Sequence, residues 1–281
     1  MVRGARAHAE AEPSLLVEVP HGADRQEDYD RLARRLRGPL PERLERFFHV
    51  NTDVGAWDLG LAIARSCVRR RPEGVAVAVR CLIPRTFVDT NRVIDAAPGA
   101  GLTPGMAPYV SHGEDQALLR GLHAAYVETV AAWMERVVGG GGLAVIPHTY
   151  APRTVPVERV DERIVLALEE AYRPEVLAQA PLRPEVDLLT CTPEGVDLAP
   201  PGVARRVLEG LRAVGIDAQE NTTYQLHPST WGARWASRYP GRVFTFEVRR
   251  DLVTAWEPFV AKRVRREEVE RIAEVVGAAL G

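Results

Sequence analysis

Val75-Ala76-Val77-Ala78-Val79-Arg80-Cys81-Leu82-Ile83 is an almost unbroken apolar run, interrupted by Arg80 and ended by Pro84. It reads as a strand buried on both faces of a largely parallel sheet, because a half-exposed strand would alternate apolar with polar residues. Upstream, Leu15 to Val19 reads as a buried strand ended by Pro20. Downstream, Leu143 to Ile146, Val186 to Thr190 and Arg242 to Val248 have strand character. Helical spacing fills the intervals. Asp24 to Phe48 forms two helices divided by Pro39 and Pro41, and Asp53 caps a helix to about Arg70 with Trp57, Leu61, Ala64 and Val68 on one face. Glu114 to Val138 carries the longest helical pattern, and shorter ones lie near Ile164 to Ala171, Gly202 to Ala213, Thr230 to Ser237 and Val264 to Leu280. The run Gly139 to Gly142 reads as a tight helix-to-strand turn, since it precedes a strand and lacks GxGxxG spacing. This alternation predicts an α/β fold: one domain over residues 1–281, built as a three-layer sandwich with a mixed, mostly parallel sheet flanked by helices. Residues 1–13 are expected to be a loose N-terminal tail.

The bulk composition excludes more than it assigns. The 281 residues are 46% hydrophobic, ordinary for a chain with a real core. Lys and Arg number 36 against 38 Asp and Glu, so a net charge of −2 supplies no general pull on nucleic acid or membrane. Arg69 to Arg71 and Arg263 to Arg266 read as solvated helix faces. Cys67, Cys81 and Cys191 are odd in number and far apart, which argues against a disulfide framework and a thiolate zinc site. Free thiols suit a cytoplasmic protein. Met1 to Pro20 has no signal-like apolar stretch, and no later run approaches membrane-spanning length.

Four polar motifs sit at strand ends: His21-Gly22-Ala23-Asp24, Arg85 through Asn91-Arg92, His148-Thr149-Tyr150, and Glu247 in Phe246-Glu247-Val248-Arg249. In open α/β sheets, ligand sites gather at the carboxyl ends of strands, so these distant segments can converge. His21, Asp24 and His148 together can hold Zn2+ and leave a position for water. Zinc acidifies bound water, and Glu247 would be the general base that takes its proton. Arg85 suits a developing oxyanion, while Asn91 and Arg92 suit an anionic substrate. Each residue also has a plainer reading. A lone histidine after a strand is usually structural, Asp24 can cap a helix, and Glu247 beside Arg249 and Arg250 can be a strand-end ion pair. Their joint occurrence favours one site. His49, His112, His123 and His227 are read as structural, and Asp53 as a helix cap that could replace Asp24 at the metal.

Pro20-His21-Gly22, Asn51-Thr52-Asp53, Arg85-x-x-x-Asp89-x-Asn91-Arg92, Pro147-His148-Thr149-Tyr150-Ala151-Pro152 and Phe246 to Leu252 resemble the N-formylglutamate amidohydrolase family, in the same order. The resemblance spans about His21 to Leu252. It implies a zinc carboxypeptidase-like architecture, also similar to aspartoacylase-type deacylases, with a mixed eight-stranded sheet between helices. It further implies one zinc and hydrolysis of an N-acyl amino acid. Carried over by position, the ligands fall on His21, Asp24 and His148, the catalytic glutamate on Glu247, the oxyanion arginine on Arg85 and the carboxylate pair on Asn91 and Arg92. The carboxypeptidase-type ligand pair has Glu where this chain has Asp24, so Asp53 stays open as the alternative acid. The partner expected is a small anionic N-acyl amino acid, with no nucleic acid and no membrane. Two other readings stand beside this one: a carboxypeptidase or amidase on peptide-like substrates, and a metal-free carboxylate-binding protein.

Overall fold

In a computed structural model that describes residues 1–96, 103–157 and 159–281, the apolar runs form one seven-stranded sheet. The strands are β1 (Val2–Arg3), β2 (Leu15–Val19), β3 (Val75–Arg80), β4 (Leu143–Tyr150), β5 (Val186–Leu189), β6 (Ala218–Glu220) and β7 (Val243–Arg249). Their order across the sheet is β1-β3-β2-β4-β7-β5-β6. The β1–β3 and β5–β7 pairs are antiparallel, and the other pairs are parallel. The expected architecture is therefore present, with seven strands among the described residues instead of eight.

Alternation along the strands sorts the two faces. Leu15, Val17 and Val19 face a cluster with helices α3 (Ala56–Arg70), α7 (Val203–Ala213) and α10 (Arg266–Leu280). Leu16, Ala144 and Ile146 face α4 (Gly113–Trp133), its π-helical extension Met134–Gly139, and α8 (Trp231–Arg238). In α3 the hydrophobic residues with no exposure are Ala56, Leu59, Ile63 and Ala64, and burial of Leu59 and Ile63 contributes about 1.5–3 kcal/mol each. The expected stripe is rotated by about one position: Ala64 and Val68 are buried, whereas Trp57 and Leu61 are half-buried. Trp57 instead covers the Arg80 guanidinium, 5.4 Å from its ring centroid.

A third cluster closes the carboxyl end of the sheet. It joins α1 (Gln26–Ala33), α2 (Leu44–Asn51) and α5 (Ile164–Ala171) through Tyr29, Phe47, Phe48 and Leu168, with Phe87 and Tyr109 of the long loop packed in. Residues 97–102 of the loop expected from Arg85 to Gly113 lie outside the described residues. Short helices α6 (Pro174–Leu177) and α9 (Arg250–Val253) complete the set.

Two departures from expectation affect the sheet edge and a site-bearing strand. Residues 1–13 begin with an edge strand, because Val2 and Arg3 pair with Ala76 and Val75 and the Gly4 amide donates to Gly74. β4 continues to Tyr150, since β7 pairs with it as far as Arg249, so His148 lies inside the strand. Pro147 is tolerated there because pairing with β2 has already stopped at Val145. The helix-to-strand turn at Gly139 to Gly142 is as expected, with Gly141 at a φ of 96° that a side chain would strain.

Candidate metal centre

The strand order sets the site. Arg85 follows β3, His21 follows β2, His148 lies in β4 and Glu247 in β7, and β3, β2, β4 and β7 are consecutive in the sheet. His148 and Glu247 are direct partners in the parallel register. Threonines fasten the surrounding turns: Thr52 donates to the Ala23 carbonyl at 2.7 Å, Thr90 to Pro20 at 2.8 Å and Thr149 to Val54 at 3.0 Å. Gly22 admits this crowding, since a Cβ there would lie 2.6 Å from Arg80 Cγ.

Asp53, in the turn between α2 and α3, is the carboxylate that meets the two histidines. His21 Nδ1 and His148 Nδ1 lie 3.1 and 3.0 Å from Asp53 Oδ2. The three side chains are buried, and their possible ligand atoms all lie within 4.8 Å of one another. The other side of the His21 ring is fixed, because Nε2 lies 2.7 Å from Asp89 Oδ1. A carboxylate at the far nitrogen orients imidazole for a metal and sets its tautomer. Burial and Arg85 oppose protonation of His21, yet Asp89 and Asp53 outweigh them and raise its pKa. Burial likewise opposes charge on Asp53, but His21, His148 and Arg85 hold its carboxyl well below the usual range. The pocket thus favours positive charge between the rings. Two imidazoles and one carboxylate at this spacing fit the donor set of a zinc site with an open position.

Asp24 stands elsewhere. Its Oδ1 accepts from Arg80 Nη2 at 2.8 Å, and Arg80 Nε donates to the Gly22 carbonyl at 2.8 Å. Burial pushes the Asp24 carboxyl up to about 6 although Arg80 pulls it down. The turn after β2 therefore directs Asp24 to the neighbouring strand, and the histidines take Asp53 instead. Asp53 does not cap α3 with its side chain; it is held by the histidines, by Arg85 at 3.1 Å and by the Thr149 amide at 3.3 Å.

The remaining residues surround the triad. Arg85 Nη1 reaches Asp53 Oδ1 at 3.1 Å and Nη2 reaches Asp89 Oδ2 at 2.9 Å, so one guanidinium braces both carboxylates. Asn91 is locked, accepting from the Gly232 amide at 3.0 Å and placing Nδ2 3.5 Å from His148 Nε2. Arg92 Nε is buried without a hydrogen-bond partner among the described residues, 3.9 Å from Asp89. Glu247 Oε2 is likewise buried and unpartnered among the described residues. Burial pushes the Glu247 carboxyl up to about 7, with His148 pulling down and Asp53 pushing up. Arg250 anchors the floor by donating to the Val50 and Thr149 carbonyls. His21, Arg85, Asn91, Arg92, His148 and Glu247 line one cavity of about 340 Å³. Asp89 and Arg250 lie within motifs quoted from the sequence, but nothing in their spacing assigns them a role.

No family model and no curated protein sequence matches the chain. Solved structures do. N-formylglutamate amidohydrolase from Ralstonia eutropha JMP134 is 16% identical over 98% of this chain and 96% of its own, with a TM-score of 0.55. The chain shares that protein's fold. A gene product of Agrobacterium tumefaciens is 17% identical, covers 96% of this chain and 91% of its own, and gives a TM-score of 0.53. At such identity the likeness is one of fold, so the roles of residues rest on the geometry of this chain. No helix among the described residues is long and apolar enough to cross a membrane.

Proposed function

We propose that the chain is a zinc-dependent hydrolase that cleaves the amide bond of a small, anionic N-acyl amino acid resembling N-formylglutamate. The observation that carries this is the convergence of His21 Nδ1 and His148 Nδ1 on Asp53, beside the unpartnered Oε2 of Glu247. His21, Asp53 and His148 would hold the ion, which when bound supplies Lewis acidity that brings the pKa of water towards neutrality. Glu247 would take the water's proton and return it to the leaving amine, a task suited to a carboxyl poised near neutral pH. Asn91 and Arg92 would hold the substrate's α-carboxylate. Arg85 would fix Asp53 and Asp89 and meet negative charge developing on the carbonyl oxygen. A cavity of about 340 Å³ lies at the small end of ligand sites and favours an N-acyl amino acid over a peptide.

Protein purified without chelator is expected to carry about one zinc per chain by elemental analysis, and His21→Ala or His148→Ala to lose it. Glu247→Gln is expected to retain zinc while turnover of N-formylglutamate falls by roughly two to four orders of magnitude. Zinc-free wild-type protein, or an active Glu247→Gln enzyme, would overturn the reading.

A further inference from the structure

The cavity reaches beyond the proposed metal-binding residues to a second wall, of which the sequence motifs include Tyr150 alone. Arg183, just before β5, lines it with Tyr150, Thr223 and Tyr224. The Arg183 guanidinium carbon lies 5.1 Å from the Tyr150 ring centroid and 5.4 Å from that of Tyr224. Its Nε donates to Thr154 Oγ1 at 3.0 Å and Nη1 to the Ala151 carbonyl at 3.4 Å. No carboxylate pairs with it among the described residues, whereas Arg249 nearby is paired with both Glu185 and Asp251.

This wall is built and braced. Asp187 of β5 has no exposure, and its two carboxylate oxygens accept the amides of Thr222 at 3.0 Å and Thr223 at 2.6 Å. A buried charge spent on two successive amides fixes the loop that carries Tyr224. Tyr150 is fixed by its hydroxyl, which donates to the Pro184 carbonyl at 2.7 Å. Asp187 is the antiparallel partner of Glu247, so one register sets both the proposed base and the tyrosine platform.

The cations facing the cavity divide by what they already hold. Arg85 is braced by Asp53 and Asp89 and faces the carbonyl oxygen in the proposed reaction, and all three Arg250 nitrogens donate to backbone carbonyls, whereas Arg183 Nη2 has no partner among the described residues. Arg92 and Arg183 remain. Arg92 is assigned to the α-carboxylate in the proposed reaction, which leaves Arg183 for another anion. A planar guanidinium packed over two neighbouring rings, whose centroids lie 6.4 Å apart, and tethered by Thr154 and Ala151 is pre-organised for a carboxylate and loses little freedom on binding it. We infer that Arg183 is a specificity-determining residue that receives the side-chain carboxylate of an acidic N-acyl amino acid. The inference rests on the hydrolase reading, and it assigns side-chain selection to one residue outside the metal-binding and Asn91–Arg92 segments.

The test uses the full zinc-loaded chain with N-formyl-glutamate and its uncharged match, N-formyl-glutamine. A charge-assisted contact predicts a preference for the acid of about 10- to 100-fold in kcat/KM. Arg183→Met should collapse that ratio, chiefly through KM for the acid, and Arg183→Lys should restore part of it. Binding of the free products is followed separately by calorimetry: glutamate should bind more tightly than glutamine to the wild type and not to Arg183→Met. Equal use of both substrates by the wild type, or equal loss on both in Arg183→Met with the ratio preserved, would overturn the inference and leave the hydrolase reading standing. If no N-acyl amino acid is hydrolysed but glutamate binding still depends on Arg183, the hydrolase reading falls and the Arg183 assignment holds.

Discussion

At the residue scale, the division of labour between Asp24 and Asp53 shapes the candidate metal centre. Both are acids near His21, but Asp24 is held by Arg80 whereas Asp53 Oδ2 lies against both imidazoles. Asp53→Asn keeps the shape and removes the charge, so zinc affinity is expected to fall by at least about 100-fold, against less than about 10-fold for Asp24→Asn; competitive chelator titration measures both. Equal losses would show that Asp24 reaches the ion. That the histidines, Glu247, Asn91 and Arg92 meet at one cavity was legible because their motifs follow or close apolar runs, and the carboxyl ends of such runs meet in a parallel sheet. Asp24 misled because three-residue spacing suggests a shared turn. Which acid faces the ring depends on the β2–β3 register that brings Arg80 beside Val19, and that register is a property of the sheet.

At the scale of elements, long and strongly apolar segments were readable and short ones were not. β1 has two residues and β6 three, too few to show a period, and β4 extends to Tyr150 only because β7 pairs with it. One element carries a visible anomaly. Glu18 interrupts the apolar run of β2 and is 2% exposed, bonded to the Tyr126 hydroxyl at 3.2 Å with Oε2 unpartnered among the described residues. Burial pushes its carboxyl up to about 8 from an ordinary 4.5, against the smaller downward pull of Tyr126. Between those values the folded chain binds more protons at Glu18 than the unfolded chain, so this residue's contribution to stability declines as pH rises from 4.5 to 8. The slope is at most about 1.4 kcal/mol per pH unit. Glu18→Gln removes the ionisation, and its denaturant midpoint relative to wild type should improve progressively from pH 5 to pH 8. A constant offset across that range would assign Glu18 a different role.

For the whole molecule, the proposed ion is a cross-link among parts that are remote in sequence. His21 follows β2, Asp53 lies between α2 and α3, and His148 belongs to β4, so metal binding would join the central sheet to the helices that close its carboxyl end. An ion that binds only the folded chain stabilises it by mass action, about 2.7 kcal/mol at one hundred times its Kd. For a chain of 281 residues this corresponds to a rise in Tm of roughly 5 °C. Protons compete for the same place, because Asp89 and Asp53 raise the pKa of His21 above its ordinary 6.5. The zinc-dependent rise should therefore shrink as pH falls, since the imidazole must give up its proton to bind the ion. Thermal unfolding with zinc and with chelator, at several pH values, measures the effect. His21→Ala should unfold at one temperature in both conditions, while Glu247→Gln should respond to zinc as the wild type does. A zinc-dependent rise that survives in His21→Ala would place the ion away from this triad.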